Sequence, residues 1–175
     1  MFSDPQHSIS QFDLQSGNHV ADLGAGVGTL SVIIAKAVGE AGKVYAIEIQ
    51  KPLLEKLKNH AKEARVHNVE ALWGDIEREN GTHLKAGTVD AAVASNVLFQ
   101  IEHKEGFVEE AKRILKPGGR LLLIEWSESF GGMGPHKDHV ISEKSARALF
   151  EQAGFEFVKS IEAGEHHYGL IFKKK

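Results

Sequence analysis

The most constraining feature of this chain is a short apolar run that ends in three closely spaced glycines. Residues 19–23 (HVADL) lead into Gly24, Gly26 and Gly28, and a mostly apolar segment then continues to residue 38. Glycine is needed where the backbone takes a positive φ or approaches a ligand closely. The free N–H groups at a helix start face whatever lies over such a turn. The pattern predicts a strand, a tight turn and a helix, with a nucleotide-like ligand at the carboxyl end of the strand.

The glycine spacing and the acidic residue before it indicate which ligand. A dinucleotide-binding turn has the pattern G-x-G-x-x-G, whereas this chain has G-x-G-x-G, with Asp22 before it and Thr29 after it. An anionic side chain is a poor neighbour for a diphosphate and suits a ligand with a positive amino group. S-adenosylmethionine has that charge pattern, and a nicotinamide dehydrogenase is disfavoured. A structural turn without a ligand would show the same glycines, so the assignment needs support from the rest of the chain.

Length and composition narrow the class of protein. The 175 residues, 42% hydrophobic and 26% charged, predict a single domain over residues 1–175, with residues 1–17 as an N-terminal extension. The net charge of −3 provides no global basic field for nucleic acid. The absence of cysteine excludes disulfides, thiolate metal sites and a cysteine nucleophile. No membrane-length apolar run or signal pattern occurs, so a cytoplasmic protein without membrane contacts is expected.

Strand-like and helix-like segments alternate along the chain, which predicts an α/β fold with a mostly parallel sheet covered by helices on both faces. After the first strand, strands are expected at 43–49, 69–73, 88–95 and 120–125, with a closing antiparallel pair at 155–161 and 167–172. Helices are expected at 28–38, from Pro52 onward, at 107–115 and at 142–153. Residues 76–87 are expected to hold only a weak helix, residues 127–140 a glycine-rich loop, and residues 9–14 a short amphipathic turn or helix.

Polar residues at the ends of the next three strands extend the ligand site. Glu48 ends the second strand, where a carboxylate can accept both ribose hydroxyls of an adenosine. Asp75 follows Gly74 at the end of the third strand and can accept the adenine amino group; the alternative is an ordinary turn residue. Asn96 ends the fourth strand and can hold either the methionine end of the ligand or the substrate, or else cap the next helix.

Taken in order, these motifs resemble those of class I S-adenosylmethionine-dependent methyltransferases, and most nearly the small-molecule enzymes of ubiquinone and menaquinone biosynthesis. The resemblance covers roughly residues 18–173. It rests on VADLGAGVGT (20–29), VYAIE (44–48), GD (74–75), SNVLFQI (95–101) and ILKPGGRL (114–121).

The resemblance implies a seven-stranded, Rossmann-like sheet in the order 3-2-1-4-5-7-6 and S-adenosylmethionine as cofactor. It also implies methyl transfer by in-line displacement to a small or medium-sized organic acceptor. The predicted cofactor-binding residues are Asp22, Gly24, Ala25, Gly26, Glu48, Ile49, Gly74, Asp75, Ile76 and Asn96. Little sequence precedes the first strand and no large insertion follows the fifth, which are the places of the usual substrate lids. We therefore expect a lid-poor active site that is either open to a large substrate or completed by a second subunit. This puts a ubiquinone-like substrate in doubt.

A proton acceptor is needed only if the acceptor atom carries a proton that must leave. His136 and His139 are predicted for this role, with Glu125 and His103 as further candidates, and Trp126 could line the acceptor pocket or pack in the core. Surface histidines without a role are an alternative, and no metal site is predicted. The alternatives to a small-molecule enzyme are an RNA or protein methyltransferase, which could use the lysines at 173–175, and a cofactor-binding protein without catalysis. A homo-oligomer is compatible with the sequence.

Overall fold

The computed structural model describes residues 4–175, and its strands and helices alternate as the sequence predicts. The helices are α1 (Pro5–Phe12), α2 (Thr29–Val38), α3 (Lys51–Glu63), α4 (Lys104–Ile114) and α5 (Glu143–Gln152). The strands are β1 (His19–Leu23), β2 (Lys43–Glu48), β3 (Val69–Trp73), β4 (Val89–Ser95), β5 (Leu115–Trp126), β6 (Phe155–Ile161) and β7 (His167–Lys174). None of the helices within residues 4–175 has the length and apolar character needed to cross a bilayer.

The strands form one sheet in the order β3-β2-β1-β4-β5-β7-β6, which confirms the predicted fold. Strands β1 to β5 are mutually parallel, and β7 runs antiparallel to both of its neighbours, β5 and β6. The chain crosses from β3 to the far side of β1 when it enters β4. The carboxyl ends of β1 and β4 therefore lie side by side where the strand order reverses, which is the position where open α/β sheets bind ligands.

Two apolar cores cover the two faces of the sheet. On one face, α1 and α2 pack over β-strand residues that include Val20 and Val93; on the other, α4 and α5 pack over residues that include Ala21 and Leu123. Because both faces are covered, adjacent residues of β1 and β4 are buried without polar alternation. The interior strands are therefore rigidly held, and the polar groups at their carboxyl ends are fixed in place.

The N-terminal segment forms a helix that belongs to the core. Asp4 caps α1 by accepting a hydrogen bond from the backbone N–H of His7, and Pro5 occupies the first turn. Ile9 and Phe12 are buried beside α2. The predicted amphipathic segment is thus a helix, and residues 1–3 of the predicted extension lie outside the described residues.

The weak helix expected in residues 76–87 is wrong, because this segment is a series of turns. Its polar backbone groups are bound by a side chain from another element. The buried Glu110 of α4 accepts hydrogen bonds from the backbone N–H groups of Asn80 and Thr82 and from the Thr82 hydroxyl, and it pairs with Arg113. These partners lower the pKa of Glu110 to about 2 against the opposing effect of burial. A tertiary carboxylate therefore satisfies the N–H groups that a helix would have used.

The fifth strand begins earlier than predicted. Leu115 already pairs with Val89, and the ladder resumes at Ala91 with Arg120, so residues 116–119 bulge out of the sheet. Pro117 cannot donate a backbone hydrogen bond and Gly118 has a φ of +75°, which explains why this part of the strand leaves the ladder.

Candidate active site

A cleft of about 440 Å³ opens at the carboxyl ends of β1 to β4. Its walls come from the glycine turn after β1, the start of α3 after β2, the turn after β3 and the segment after β4. The lining residues are Gly24, Ala25, Gly26, Ile47, Glu48, Ile49, Gln50, Leu53, Gly74, Asp75, Ile76, Glu77, Ser95, Asn96, Val97, Gln100 and Ile101. Nine of the ten predicted cofactor-binding residues are among them, and the exception is Asp22.

The glycine turn lies flat against β2 and the segment after β4. The backbone N–H groups of Gly24 and Ala25 both donate to the carbonyl of Ile47, at 3.0 and 2.9 Å. Gly24 has a φ of +76°, and a Cβ there would lie 2.7 Å from Cγ2 of Val97. Only glycine lets the turn approach this wall so closely. A side chain at position 24 would therefore displace Val97 from the cleft wall.

Glu48 joins the second strand to the glycine turn. Its Oε2 accepts a hydrogen bond from the backbone N–H of Gly26 at 2.9 Å, and its Oε1 accepts one from Gln50 at 2.8 Å. The side chain is 6% exposed and lines the cleft. Each carboxylate oxygen can accept more than one hydrogen bond. Glu48 can therefore hold the turn and still bind hydroxyl groups of a ligand.

Asp22 lies beneath the glycine turn and does not line the cleft. Its Oδ2 accepts a hydrogen bond of 2.6 Å from the hydroxyl of Ser31 in α2. Burial raises the pKa of Asp22 to about 6; the hydrogen bond from Ser31 opposes this shift, and the nearby charge of Glu48 adds to it. A buried carboxyl of this kind is costly to ionise, and a cation above the turn would favour its charged form.

Asn96 presents an unsatisfied acceptor at the end of β4. Its Oδ1 is buried and has no hydrogen-bond partner within residues 4–175. The residue has a φ of +55°, its N–H donates to the carbonyl of Ile124, and its carbonyl accepts from the side chain of Gln100. A buried acceptor without a partner is costly. A donor group on a ligand in the cleft would remove this cost.

The turn after β3 forms the opposite end of the cleft. Oδ1 of Asp75 accepts a hydrogen bond from the backbone N–H of Glu77, and its Oδ2 pairs with the exposed Arg78 at 3.1 Å. Ile49 and Ile76 add apolar surface, and the side chain of Ile49 is half exposed. This end therefore combines apolar surface with one carboxylate, which suits a planar base with an amino group.

The charged residues that line the cleft are all acidic. Three carboxylates, Glu48, Asp75 and Glu77, line it, and none of its described lining residues is lysine, arginine or histidine. A diphosphate would bind poorly in such a site, because phosphate binding requires cationic groups or a helix N-terminus free of competing negative charge. A cationic, phosphate-free ligand is favoured.

The predicted proton acceptors lie outside this cleft. His136 and His139 are exposed on a short 3-10 turn in the glycine-rich loop, where His136 pairs with Asp138 at 3.1 Å. Glu125 is fully buried, His103 is exposed at the start of α4, and Trp126 contacts His167 with ring centroids 4.2 Å apart. Within residues 4–175, no group of three or more potential ligands is arranged to hold a metal ion.

Eight residues that line the cleft are absent from the predicted set: Ile47, Gln50, Leu53, Glu77, Ser95, Val97, Gln100 and Ile101. Four of them lie in the motif SNVLFQI, which carried part of the family resemblance although only Asn96 was assigned from it. The other signal is position, since Gln50 and Leu53 lie in the short stretch of chain after the strand-end carboxylate Glu48.

Comparison with known proteins identifies the class. The model of a family described as "Methyltransferase domain" matches residues 14–167. The chain therefore belongs to this methyltransferase-domain family, and its fold is that of the class I S-adenosylmethionine-dependent methyltransferases.

Among particular proteins, the chain is similar to the ubiquinone/menaquinone biosynthesis C-methyltransferase UbiE of Hydrogenovibrio crunogenus. The two are 31% identical over 127 residues, which cover 70% of this chain and 48% of the relative. It is also 25% identical to the demethylmenaquinone methyltransferase of Lactiplantibacillus plantarum, over 87% of this chain and 76% of the relative. The chain thus spans about half or less of the length of the first several curated relatives it matches.

A solved structure of a SAM-dependent methyltransferase from Aquifex aeolicus matches the whole fold, with a TM-score of 0.89 and 29% sequence identity. The match covers 98% of this chain and 90% of that chain. The size and topology of this domain therefore occur in another protein without additional large insertions.

Proposed function

We propose that this protein transfers a methyl group from S-adenosylmethionine to a small or medium-sized organic acceptor. The observation that carries the proposal is the cleft at the switch point of the sheet, which has three carboxylates. Among residues 4–175, the buried acceptor of Asn96 has no partner and no cationic residue lines the cleft. S-adenosylmethionine has an ammonium, a sulfonium and no phosphate, and the cleft complements each of these properties.

The residues present can accommodate the ribose, the adenine and the ammonium group of this cofactor. Glu48 is proposed to accept the ribose hydroxyls, and Asp75 with Ile76 and Ile49 to hold the adenine. The glycine turn at 24–26 is proposed to let the ligand approach its backbone, and Oδ1 of Asn96 to accept from the ammonium group. Asp22 would act from beneath the turn through its charge. Filling the empty acceptor of Asn96 removes the one unsatisfied polar atom described in the cleft wall.

When bound, S-adenosylmethionine supplies an electrophilic methyl group on sulfur, which an in-line displacement moves to a nucleophilic atom of the acceptor. The chain's contribution is to align the two partners and to exclude water. The carboxylates of Asp22 and Glu48 favour a cationic ligand over its neutral product. His136 and His139 remain the predicted proton acceptors for an acceptor that must lose a proton.

A small acceptor is supported by the nature of the relatives and by the position of the basic residues. The named curated relatives are quinone-biosynthesis methyltransferases. Lys173 lies opposite Arg120 in the register of β7 and β5, where the ladder of β5 resumes after its bulge. The C-terminal lysines therefore lie at the amino edge of the sheet, opposite the cleft. The expectation that they grip an RNA or protein substrate at the active site has no support from this geometry.

The proposal is tested in two stages. Calorimetry with S-adenosylmethionine and with S-adenosylhomocysteine should give saturable binding to one site. Radiolabelled cofactor is then offered with a small-molecule library, with RNA and with protein as separate arms. Label transfer to a small molecule supports the proposal, and transfer only to RNA or protein contradicts it. Binding without transfer in any arm indicates a cofactor-binding protein, and no binding at millimolar ligand removes the cofactor assignment.

A further inference from the structure

One wall of the cleft is a short irregular segment rather than a regular element. The post-β4 segment (residues 96–103) contributes Asn96, Val97, Gln100 and Ile101 to the lining. It contains a left-handed residue and a single 3-10 turn at Leu98–Gln100. A segment without a hydrogen-bonded ladder needs outside partners to hold its shape.

Glu125, at the end of β5, supplies such a partner at the middle of the segment. Its Oε2 accepts a hydrogen bond from the backbone N–H of Phe99 at 3.3 Å, and its Oε1 accepts one from Trp126 at 2.8 Å. The side chain is fully buried and does not line the cleft. Glu125 therefore cannot reach a bound acceptor, although it touches the backbone that carries the cleft wall.

The far end of the segment is held by different groups. The carboxylate of Glu77 accepts hydrogen bonds from the backbone N–H groups of Glu102 and His103, and the ammonium of Lys104 binds the carbonyl of Ile101. Gly106 permits a close approach, since a Cβ there would lie 2.4 Å from the carbonyl oxygen of Glu77. Among the side chains described, Glu125 is the one that binds the N–H of Phe99, so the middle of the wall depends on it.

We infer that Glu125 is a positioning residue that sets the shape of the cofactor cleft through the backbone of the post-β4 segment. Its ionised carboxylate has acceptor capacity on both oxygens and can hold Phe99 and Trp126 together. Protonation turns one oxygen into a donor and leaves one of these N–H groups poorly bound. The wall that carries Asn96 and Val97 then loosens, and cofactor affinity falls.

The groups around Glu125 determine the pH at which it becomes protonated. Burial raises the pKa of Glu125 to about 6, while the backbone hydrogen bonds and the charge of Lys104 oppose the shift. Tyr168 of β7 is its register neighbour, with a hydroxyl that donates to Ile141, and Glu143 of α5 lies close to that hydroxyl. Burial raises the pKa of Tyr168, so its hydroxyl stays neutral between pH 5 and pH 8. The affinity should therefore decline as the pH falls through about 6.

The test measures the dissociation constant of S-adenosylhomocysteine by calorimetry between pH 5 and pH 8. Asp22 titrates in the same range, so the informative pair is Asp22→Asn alone against Asp22→Asn combined with Glu125→Gln. We expect the first protein to bind more weakly at pH 5 than at pH 8, and the second to have a nearly flat profile. At pH 8, Glu125→Gln should bind S-adenosylhomocysteine about threefold more weakly than wild type, because one of the two hydrogen bonds is lost. Glu125→Ala should bind it about tenfold more weakly, because both are lost.

Glu109→Gln, which changes an exposed carboxylate on α4, is the matched control and should reproduce the wild-type profile. If Glu125→Ala does not fold, as judged by thermal unfolding, the isosteric Glu125→Gln still decides the question. The inference would be overturned if Asp22→Asn and the double variant Asp22→Asn, Glu125→Gln had the same dependence of affinity on pH. The inference rests on the proposed function for the identity of the ligand. Failure of that function would appear as absent binding in the wild type, and failure of the inference as wild-type affinity in Glu125→Gln and Glu125→Ala.

Discussion

The two halves of the carboxyl edge of this sheet are built differently. At the ends of β1 to β4, buried or partly buried carboxylates accept hydrogen bonds from backbone N–H groups of the loops. The acceptors and their donors are Glu48 with Gly26 and Gln50, Glu77 with Glu102 and His103, and Glu110 with Asn80 and Thr82. Beyond β5, the loop at 127–140 has three glycines with positive φ and exposes Phe130 and Met133.

This difference matches the two tasks of a methyltransferase. The cofactor is the same in every reaction, so the half that binds it benefits from a fixed, pre-organised site. The acceptor varies between enzymes, and loops that vary and adapt are suited to it. We refer to residues at the ends of β1 to β4 as the cofactor half and to the glycine-rich loop at 127–140 as the loop half.

The largest effect is expected from loosening the cofactor half at Glu110. Glu110→Gln leaves the partly buried Arg113 without its ion partner and weakens the binding of the turn at 80–82. Removing one member of a buried ion pair costs about 3–5 kcal/mol, to be measured by urea unfolding at pH 7. Since the pKa of Glu110 is lowered from 4.5 to about 2, its contribution is complete above pH 4.5 and is lost as the pH falls towards 2.

The difference in stability between wild type and Glu110→Gln should therefore shrink as the pH falls from 4.5. Glu109→Gln, on the solvent side of the same helix, controls for the general loss of a negative charge. A stability difference that stays constant between pH 7 and pH 3 would contradict the role given to the carboxylate.

The second prediction concerns ligand binding in the cofactor half. Glu48→Ala removes the proposed ribose acceptor and the tie between β2 and Gly26. We expect the affinity for S-adenosylhomocysteine to fall by about 1.5–3 kcal/mol, as for a lost charge-assisted hydrogen bond. Calorimetry measures this, with Glu63→Ala on the exposed side of α3 as control. An unchanged affinity in the Glu48 variant would remove this residue from the site.

The third prediction tests whether the charge of Asp22 lowers the stability of the free protein while it favours cofactor binding. The pKa of Asp22 is raised from 3.8 to about 6, so the folded protein binds this proton more tightly than the unfolded chain does. Its ionisation therefore destabilises the free protein as the pH rises from about 4 through 6, and the cost is complete above that range. Asp22→Asn, which can still accept from Ser31, should raise the unfolding free energy by about 1 kcal/mol at pH 8 and weaken binding of S-adenosylmethionine.

Chemical denaturation at pH 8 and pH 4 measures the stability effect, which should largely disappear at the lower pH. Calorimetry on the same protein measures the loss of affinity. If Asp22→Asn were less stable than wild type at pH 8, the charged form of Asp22 would stabilise the folded protein, which contradicts this interpretation.

The smallest effect is expected in the loop half. Phe130→Ser and Met133→Ser change exposed side chains, of which Phe130 stacks on His166. The unfolding free energy should therefore move by no more than about 1 kcal/mol. Cofactor affinity should stay within about twofold of wild type, because neither residue lines the cleft. Once an acceptor is known, its KM should rise in both variants. A loss of cofactor affinity as large as that of Glu48→Ala would abolish the distinction between the two halves.

Much of the cofactor half was predictable because it depends on local patterns. The run of three glycines, the strand-end Glu48 and Asp75, and the apolar strands all report on backbone geometry within a few residues, and each lies where it was predicted. The weak helix predicted for residues 76–87 is wrong because Glu110, which binds the turns found there, is about thirty residues away along the chain.

The sequence by itself determined the fold class and placed the proposed cofactor site at the carboxyl ends of the strands, and the family resemblance implied the strand order. The fold class and the site follow from glycine placement and hydrophobic periodicity, which act over short distances. Only the tertiary structure decided that Asp22 lies beneath the turn, that Asn96 keeps an unsatisfied acceptor, and that Glu125 is buried against Phe99. Burial and hydrogen-bond partners depend on which distant elements pack together, and a linear pattern does not contain that information.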